Sequence, residues 1–158
     1  MATRYFRAGV GTVIYNDAGQ IAIFKRVQPP VGIWELQQGG IDAGEVPEET
    51  LWRELHEEVG IIKDDIEHIT SVPGWTIYQR AEGITDVSLD ILGQAHQWYF
   101  LKLKTGHCIN LENALEDEAS EFRWTSFDEL IGLTGEHKKH VYQSLNDFFK
   151  MHIQKTPH

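Results

Sequence analysis

The feature that most constrains this sequence is the segment Pro47–Val59, which has the pattern of an amphipathic α-helix. Proline suits the first helical position, because an N–H at that position has no partner within the helix. Two glutamates follow in the first turn, where the helix dipole favours negative charge, and Gly60 suits a left-handed stop. An apolar stripe repeats every four residues and must pack against another layer; it comprises Leu51, Leu55 and Val59.

An acidic face lies beside that stripe. Glu54, Glu57 and Glu58 stand at positions i, i+3 and i+4, so their side chains converge. Bare carboxylates in this arrangement repel one another, whereas Mg²⁺ or Mn²⁺ binds such hard oxygen ligands. Magnesium usually completes its octahedron with water and substrate phosphates. The cluster therefore predicts a metal and phosphate site, and a solvated acidic helix face is the alternative.

The remaining pattern mixes strands and helices without clear strand–helix–strand repeats. Segments 6–15 and 20–26 flank a turn at 16–19 and predict a hairpin. The fold class expected is α/β, with one domain over residues 1–158 and a mixed sheet flanked by helices. Further strands are predicted at 33–38, 66–72, 75–79, 94–104 and 121–125, and further helices at about 126–133 and 136–153.

Composition excludes several classes of function. The 158 residues carry 24 acidic and 14 basic side chains, a net charge of −10, so the chain will not coat duplex DNA or an anionic membrane. The single cysteine, Cys108, cannot form an internal disulfide, which fits a reducing compartment. No apolar run approaches the roughly 20 residues needed to span a bilayer, and no signal-peptide stretch begins the sequence. A cytoplasmic protein is expected.

The residues around the acidic helix resemble the Nudix box. That pattern is glycine, five residues, glutamate, seven residues, then Arg-Glu-aliphatic-x-Glu-Glu-x-Gly-aliphatic, and segment 39–61 matches every specified position. The resemblance implies an α/β/α sandwich with a loop–helix–loop box. It also implies hydrolysis of a nucleoside diphosphate linked to another group, with Mg²⁺ as cofactor and Mn²⁺ as its substitute. The matching residues are Gly39, Glu45, Arg53, Glu54, Leu55, Glu57, Glu58, Gly60 and Ile61.

The resemblance also implies roles for individual residues. Arg53 and Glu45 are expected to brace the loop–helix–loop, and Glu54 is counted with the catalytic machinery. The general base is left open between Glu57 and Glu121, since a carboxylate within hydrogen-bonding reach can take a proton from water. The expected metal ligands are Gly39, Glu54, Glu57, Glu58 and Glu121.

Three further stretches resemble bacterial RNA pyrophosphohydrolases and plant-type diadenosine polyphosphate hydrolases. They are the run 34–42, the strand with Gly93, Gln94 and Trp98, and the segment Glu121-Phe122-x-Trp124. The substrates implied are RNA 5′-triphosphate ends, diadenosine polyphosphates or both.

The chain departs from that subfamily at three places, all assigned here to the substrate pocket. Leu36 and Gln37 replace Phe-Pro, no basic residue stands at 95–97, and no proline follows Tyr78. These departures support the alternative of another nucleotide or nucleotide-sugar substrate. A non-catalytic nucleotide-sensing module is a further alternative, disfavoured because all the box glutamates are present.

Substrate contacts follow from the same resemblance. Arg7 and Arg26 match arginines that face substrate phosphates, with Lys139 or its neighbour Lys138 added from the last helix. Tyr78 is either a platform for a base or a core residue, and Gln94 is expected at the substrate. The eight histidines are expected on the surface, because zinc-ligand spacing is missing. The partner is a nucleotide or an RNA 5′-end, with the protein a monomer or a homodimer.

Replacing Glu57 with glutamine should lower turnover by roughly 10²-fold or more while the fold persists, because the amide can neither take a proton nor bind a cation strongly. Steady-state hydrolysis in excess Mg²⁺, together with circular dichroism, measures both effects. Turnover close to that of the wild type would contradict the role assigned to Glu57.

Overall fold

The computed structural model describes residues 3–80 and 90–154. These residues form eight strands and three α-helices, with short 3₁₀ turns at Lys63–Asp65 and Leu111–Asn113 and a π-helical turn at Phe149–Ile153. The strands are β1 (Tyr5–Tyr15), β2 (Ile21–Arg26), β3 (Trp34–Glu35), β4 (Gln37–Gly40), β5 (Ile66–Ser71), β6 (Thr76–Gln79), β7 (Ile91–Leu103) and β8 (Ala119–Thr125). The helices are α1 (Pro47–Val59), α2 (Phe127–Leu133) and α3 (Glu136–Phe148).

All eight strands belong to one mixed sheet. β1 pairs in parallel with β7 along its whole length, and the other strand pairs of the described chain are antiparallel. The central order is β3-β2-β1-β7-β5, with β4 on β1, β6 on β7 and β8 on β2. The predicted mixed sheet is therefore confirmed.

Helices cover both faces of this sheet. Successive side chains of a strand point to opposite faces, so Val13 and Ile14 belong to different apolar clusters. Val13 packs with residues of α2 and α3, whereas Ile14 packs with the buried stripe of α1. The result is the predicted α/β/α arrangement, with the acidic face of α1 at the edge of one layer.

Most predicted elements are present, and their bounds differ in two instructive places. The predicted strand 33–38 ends too early, because Gly39 and Gly40 also belong to β4 and pair with β1. The predicted strand 121–125 begins earlier, at Ala119, because β8 pairs with β2 over that length. Gly60 ends α1 in the left-handed conformation, at φ 73°, as its position predicts. No helix of the described chain is long and apolar enough to cross a membrane.

Replacing Gly11 with alanine should lower the free energy of unfolding by about 1–3 kcal/mol or more. An added Cβ would lie 2.3 Å from the ring of Trp98, a fully buried side chain with no room to move. Urea unfolding measures the change.

Gly132→Ala is the matched control, because Gly132 lies in α2 with no heavy atom within 4 Å of an added Cβ. It should be neutral or stabilising by up to about 1 kcal/mol. Equal effects of the two substitutions would contradict the packing argument.

Candidate active site

The guanidinium of Arg53 joins the loop before α1 to the helix itself. Its Nε and Nη2 donate to the two carboxylate oxygens of Glu45, at 2.6 and 2.9 Å. Nη2 also donates to the carbonyl oxygen of Gly40, at 3.0 Å, and Nη1 donates to Glu54 and Glu57, at 2.8 and 3.0 Å. Arg53 is the main cause that lowers the pKa of Glu45 to about 2. The pair thus stays charged throughout the physiological pH range.

Glu54 is only 8% exposed, because β4 lies directly against its carboxylate. An added Cβ on Gly39 would come within 2.3 Å of Glu54 Cδ. A residue without a side chain is therefore required for the strand to pass this close. The carbonyl oxygen of Gly39 lies beside β1, 2.6 Å from where a Cβ on Gly9 would be. Gly39, one of the predicted metal ligands, therefore packs with its Cα against the carboxylate of Glu54.

Glu58 lies between Glu54 and Gln37. Burial raises the pKa of Glu58 well above its ordinary value and Glu54 raises it further, while Gln37 opposes the shift. The amide Nε2 of Gln37 donates to Glu58 Oε2 at 2.9 Å. Two carboxylates in one buried space resist ionising together unless a cation neutralises them. The expectation that Gln37 belongs to the substrate pocket is wrong in this respect, because its amide contacts a predicted metal ligand.

A loop before β8 brings two more carboxylates to α1. The backbone N–H of Glu116 donates to the carbonyl oxygen of Glu57 at 2.8 Å, which fixes the loop on the helix. Burial raises the pKa of the Glu116 carboxyl, and the charges of Glu57, Glu118 and Glu54 raise it further. Glu118 lines a groove together with Glu58. Sequence reasoning missed Glu118 as a site residue.

The donor set of this acidic groove fits a hard divalent cation. Arg53 donates to one oxygen each of Glu54 and Glu57, and no three metal-binding side chains within residues 3–80 and 90–154 converge on one point. The carboxylates nevertheless outnumber the nearby cations, since Arg53 is already paired with Glu45, Arg26 with Glu35 and Lys25 with Glu121. Carboxylate oxygens in such excess are ligands suited to Mg²⁺ or Mn²⁺. Of these carboxylates, Glu58 and Glu118 line the groove, and Glu54, Glu57 and Glu116 lie close to it on α1 and on the loop before β8.

Glu121, predicted as a metal ligand or base, lies elsewhere. It stands opposite Lys25 in the β2–β8 pair and forms an exposed ion pair with it, at 3.2 Å. It is not among the residues that line the groove with Glu58. Glu118, rather than Glu121, lines the groove beside Glu58, because β8 begins after Glu118 and carries Glu121 along the sheet. One feature of the sequence did point to this difference: Glu121 and Trp124 lie one residue closer together than the corresponding glutamate and tryptophan of the subfamily.

A cavity of about 360 Å³ adjoins the acidic groove. Its walls come from β6, β7, α3 and the loop after β2, and include Trp34, Tyr78 and Gln94. Arg26, Glu35 and Gln38 line both the groove and the cavity. A molecule with a polyphosphate in the groove can therefore place an attached group in the cavity.

Two cations and one carboxylate stand where the groove meets the cavity. Arg26 Nη1 donates to Glu35 Oε1 at 2.9 Å, and Lys138 Nζ donates to Glu35 Oε2 at 3.2 Å. Lys138 lines the cavity, whereas Lys139 pairs with Glu136 at 2.8 Å and does not line it. Of the two lysines considered from the last helix, Lys138 is the one in place. The prediction that Lys139 contacts the substrate is therefore corrected to Lys138, which lines the cavity.

Tyr78 is a buried wall of the cavity, 6% exposed. Its ring centroid lies 5.9 Å from that of His96 and 5.0 Å from Lys138 Nζ, and its hydroxyl accepts from Gln38 Nε2 at 3.3 Å. With these neighbours, the structure favours the core alternative over an open stacking platform. The expectation of surface histidines is wrong for His96, which is 1% exposed on β7 because it packs between Tyr78 and Trp98.

Arg7 lies outside the walls of the cavity. It is exposed on β1, opposite Gln94 of β7, and its guanidinium lies against Gly40, 2.7 Å from the position of a Cβ there. Arg7 is therefore placed over the start of the loop that Arg53 holds. Gln94 itself does line the cavity.

A model of the NUDIX domain matches residues 5–147. The chain belongs to the Nudix family. Curated relatives include the RNA pyrophosphohydrolase of Pseudoalteromonas translucida, 36% identical over 141 residues that cover 87% of this chain and 81% of that protein. The RNA pyrophosphohydrolase of Pseudomonas putida is 33% identical and covers 87% of each chain. The prediction of a Nudix pyrophosphohydrolase is confirmed at the level of enzyme class.

Solved structures show the same Nudix fold. The dihydroneopterin triphosphate pyrophosphohydrolase of E. coli superposes with a TM-score of 0.72 at 16% identity, covering 91% of this chain and 99% of that one. A C. elegans Ap4A hydrolase superposes with a TM-score of 0.63 at 19% identity, covering 89% and 97%.

Replacing Glu58 with glutamine should stabilise the metal-free protein at alkaline pH. Because the pKa of Glu58 is raised on folding, the folded chain holds a proton that the unfolded chain releases. The free energy of unfolding of the wild type therefore falls as pH rises above the ordinary carboxyl range.

In EDTA at pH 8 the Glu58→Gln variant should be more stable by about 1 kcal/mol or more, and the difference should vanish near pH 4. Urea unfolding across pH measures it. Identical pH profiles for the two proteins would contradict the buried carboxylate pair.

Proposed function

We propose that this Nudix enzyme is a Mg²⁺-dependent hydrolase of phosphoanhydride bonds in RNA 5′-triphosphate ends, diadenosine polyphosphates or both, with Mn²⁺ as a possible substitute. The observation that carries the proposal is the shared boundary of the acidic groove and the cavity at Arg26, Glu35 and Gln38. A nucleoside joined to a polyphosphate has the two parts that these two compartments accept.

Four glutamates would hold the metal. Glu54, Glu57 and Glu58 supply oxygen ligands from α1, and Glu118 supplies one from the loop before β8. When bound, divalent cations offset the negative charge of the phosphoanhydride and activate water for attack. Arg53 keeps the carboxylates of Glu54 and Glu57 in place through charge-assisted hydrogen bonds. Glu57 is proposed as the general base.

The basic residues would bind phosphate oxygens that no metal binds. Arg26 and Lys138 stand at the boundary, and Glu35 holds both in place. Guanidinium groups pair bidentately with phosphate. Arg7, beside Gly40, would meet the polyphosphate from the β1 side. Tyr78 and Gln94 would contact the nucleoside as walls of the cavity.

Relatives support this choice of substrates. Proteins at 33–36% identity over most of the chain are RNA pyrophosphohydrolases, and an Ap4A hydrolase shares the fold. A different nucleoside diphosphate derivative is the second candidate, favoured by the absence of the subfamily's basic residue at 95–97. We also propose a cytoplasmic location for the enzyme, in line with its free, exposed Cys108.

Parallel hydrolysis of triphosphorylated short RNA, diadenosine tetraphosphate and a panel of nucleoside triphosphates tests the proposal. With Mg²⁺ and product masses as readout, RNA or the dinucleotide should exceed the other substrates by about 100-fold in kcat/KM. A nucleoside triphosphate as the best substrate would overturn the substrate assignment and leave the enzyme class intact.

Two glutamine variants serve as a matched pair in the same assay. Glu118→Gln should lower kcat by about 10-fold or more, because it removes a charged ligand from the groove. Glu121→Gln should stay within about twofold of the wild type, since it removes only an exposed ion pair with Lys25. The reverse pattern would restore Glu121 to the site.

A further inference from the structure

Gln37 departs from the subfamily pattern, where proline stands, and its side chain is 4% exposed. It lies on β4, directly opposite Thr12 of β1. Proline has no side-chain polar group, so this chain places a hydrogen-bonding amide where the pattern has none. A buried amide must find partners for both its donor and its acceptor atoms.

Both ends of the Gln37 amide have partners. The hydroxyl of Thr12 donates to Gln37 Oε1 at 2.7 Å, and Gln37 Nε2 donates to Glu58 Oε2 at 2.9 Å. Thr12 is itself 1% exposed. The three side chains therefore form a hydrogen-bonded series that runs from the centre of the sheet to the acidic face of α1.

The hydrogen bonds of this series all run in one direction, from Thr12 through Gln37 to Glu58. In the ionised form that binds a cation, the Glu58 carboxylate can only accept hydrogen bonds, so the NH₂ group of Gln37 must face it. The hydroxyl of Thr12 then donates to the remaining amide oxygen. A flipped amide would place its oxygen against the carboxylate and lose both bonds, which is costly in a buried site. Thr12 thus sets the orientation of Gln37, and Gln37 sets that of Glu58.

We propose that Gln37, held by Thr12, is a positioning residue that fixes the carboxylate of Glu58 in the orientation needed to bind the divalent cation. The inference rests on the proposed metal-dependent function. Hydrogen-bonded partners behind a ligand orient it, and their loss weakens metal binding by about 10–100-fold in characterised sites. The alternative is that the amide merely satisfies buried polar groups, in which case its loss would lower stability and leave metal affinity unchanged.

Binding of Mn²⁺ in the absence of substrate separates these alternatives. Electron paramagnetic resonance of free Mn²⁺ gives the dissociation constant for the full-length protein, and thermal unfolding in EDTA gives stability. Gln37→Met keeps the length of the side chain and removes the donor, so we expect its Mn²⁺ affinity to fall by about 10-fold. Thr12→Val keeps the shape and removes the hydroxyl, and should weaken binding by about threefold or more, because the amide is no longer oriented.

Two further variants are controls. Thr12→Ser retains the hydroxyl and should keep Mn²⁺ affinity within about twofold of the wild type. Thr125→Val removes another buried hydroxyl that donates to a carboxylate, that of Glu129, outside the acidic groove. It should lower the melting temperature without changing Mn²⁺ affinity.

Wild-type Mn²⁺ affinity in Gln37→Met, with a lowered melting temperature, would overturn the inference and leave the proposed function intact. Should Gln37→Met fail to fold, unchanged affinity in Thr12→Val would overturn it equally. A wild-type protein that binds no Mn²⁺ would overturn both proposals. Normal metal binding that depends on Gln37, combined with failure to cleave RNA or dinucleotide substrates, would support the inference and overturn only the substrate assignment.

Discussion

The contacts of Arg53 are the interaction on which the rest of the site depends. One guanidinium holds Glu45 and the Gly40 carbonyl on the loop side and Glu54 and Glu57 on the helix side. Without this cation, the acidic face of α1 would carry uncompensated repulsion in a partly buried place. The same contacts fix the angle at which the loop enters the helix. Arg53 therefore stabilises the fold and orients the carboxylates at once.

The mixed sheet explains why groove and cavity meet. β1 lies at its centre and pairs with β4, which passes over Glu54, and with β7, which carries Gln94. The acidic groove and the cavity thus form on elements attached to one rigid strand. Glu35 lies between them and links β2 to α3 through Arg26 and Lys138. The partly buried ion pairs of Glu35 with Arg26 and Lys138 therefore fix the position of the groove relative to the cavity.

Local patterns predicted the parts of the molecule that local forces form. The helix Pro47–Val59, its stop at Gly60 and the hairpin turn depend on neighbours a few residues away, and the sequence located them. The identity of the box residues followed from fixed spacing. The strand character of Gly39 and Gly40 did not, because it arises from pairing with β1, some thirty residues earlier.

The errors at the site have the same physical origin. Glu121 and Glu118 differ by three positions, and only the register of β8 on β2 decides which of them reaches α1. Lys138 and Lys139 are adjacent, but consecutive helical residues point about 100° apart, so the packing of α3 selects one. The contact of Gln37 with Glu58 joins strand to helix across 21 residues. Such choices follow from tertiary packing, which a single sequence does not display.

The parallel pairing of β1 with β7 also governs how the site assembles during synthesis. Arg7 pairs with Gln94, and Lys25 with Glu121, so the centre of the sheet cannot close until the second half of the chain exists. The box helix follows β1 to β4 in the chain, so the strand that lies against Glu54 is made before the helix, whereas β7 and β8 are made later. Contacts of such long sequence separation slow folding. In a nascent chain the acidic face of α1 can therefore meet β4 early, but the sheet that supports both is completed only after β7 has been made.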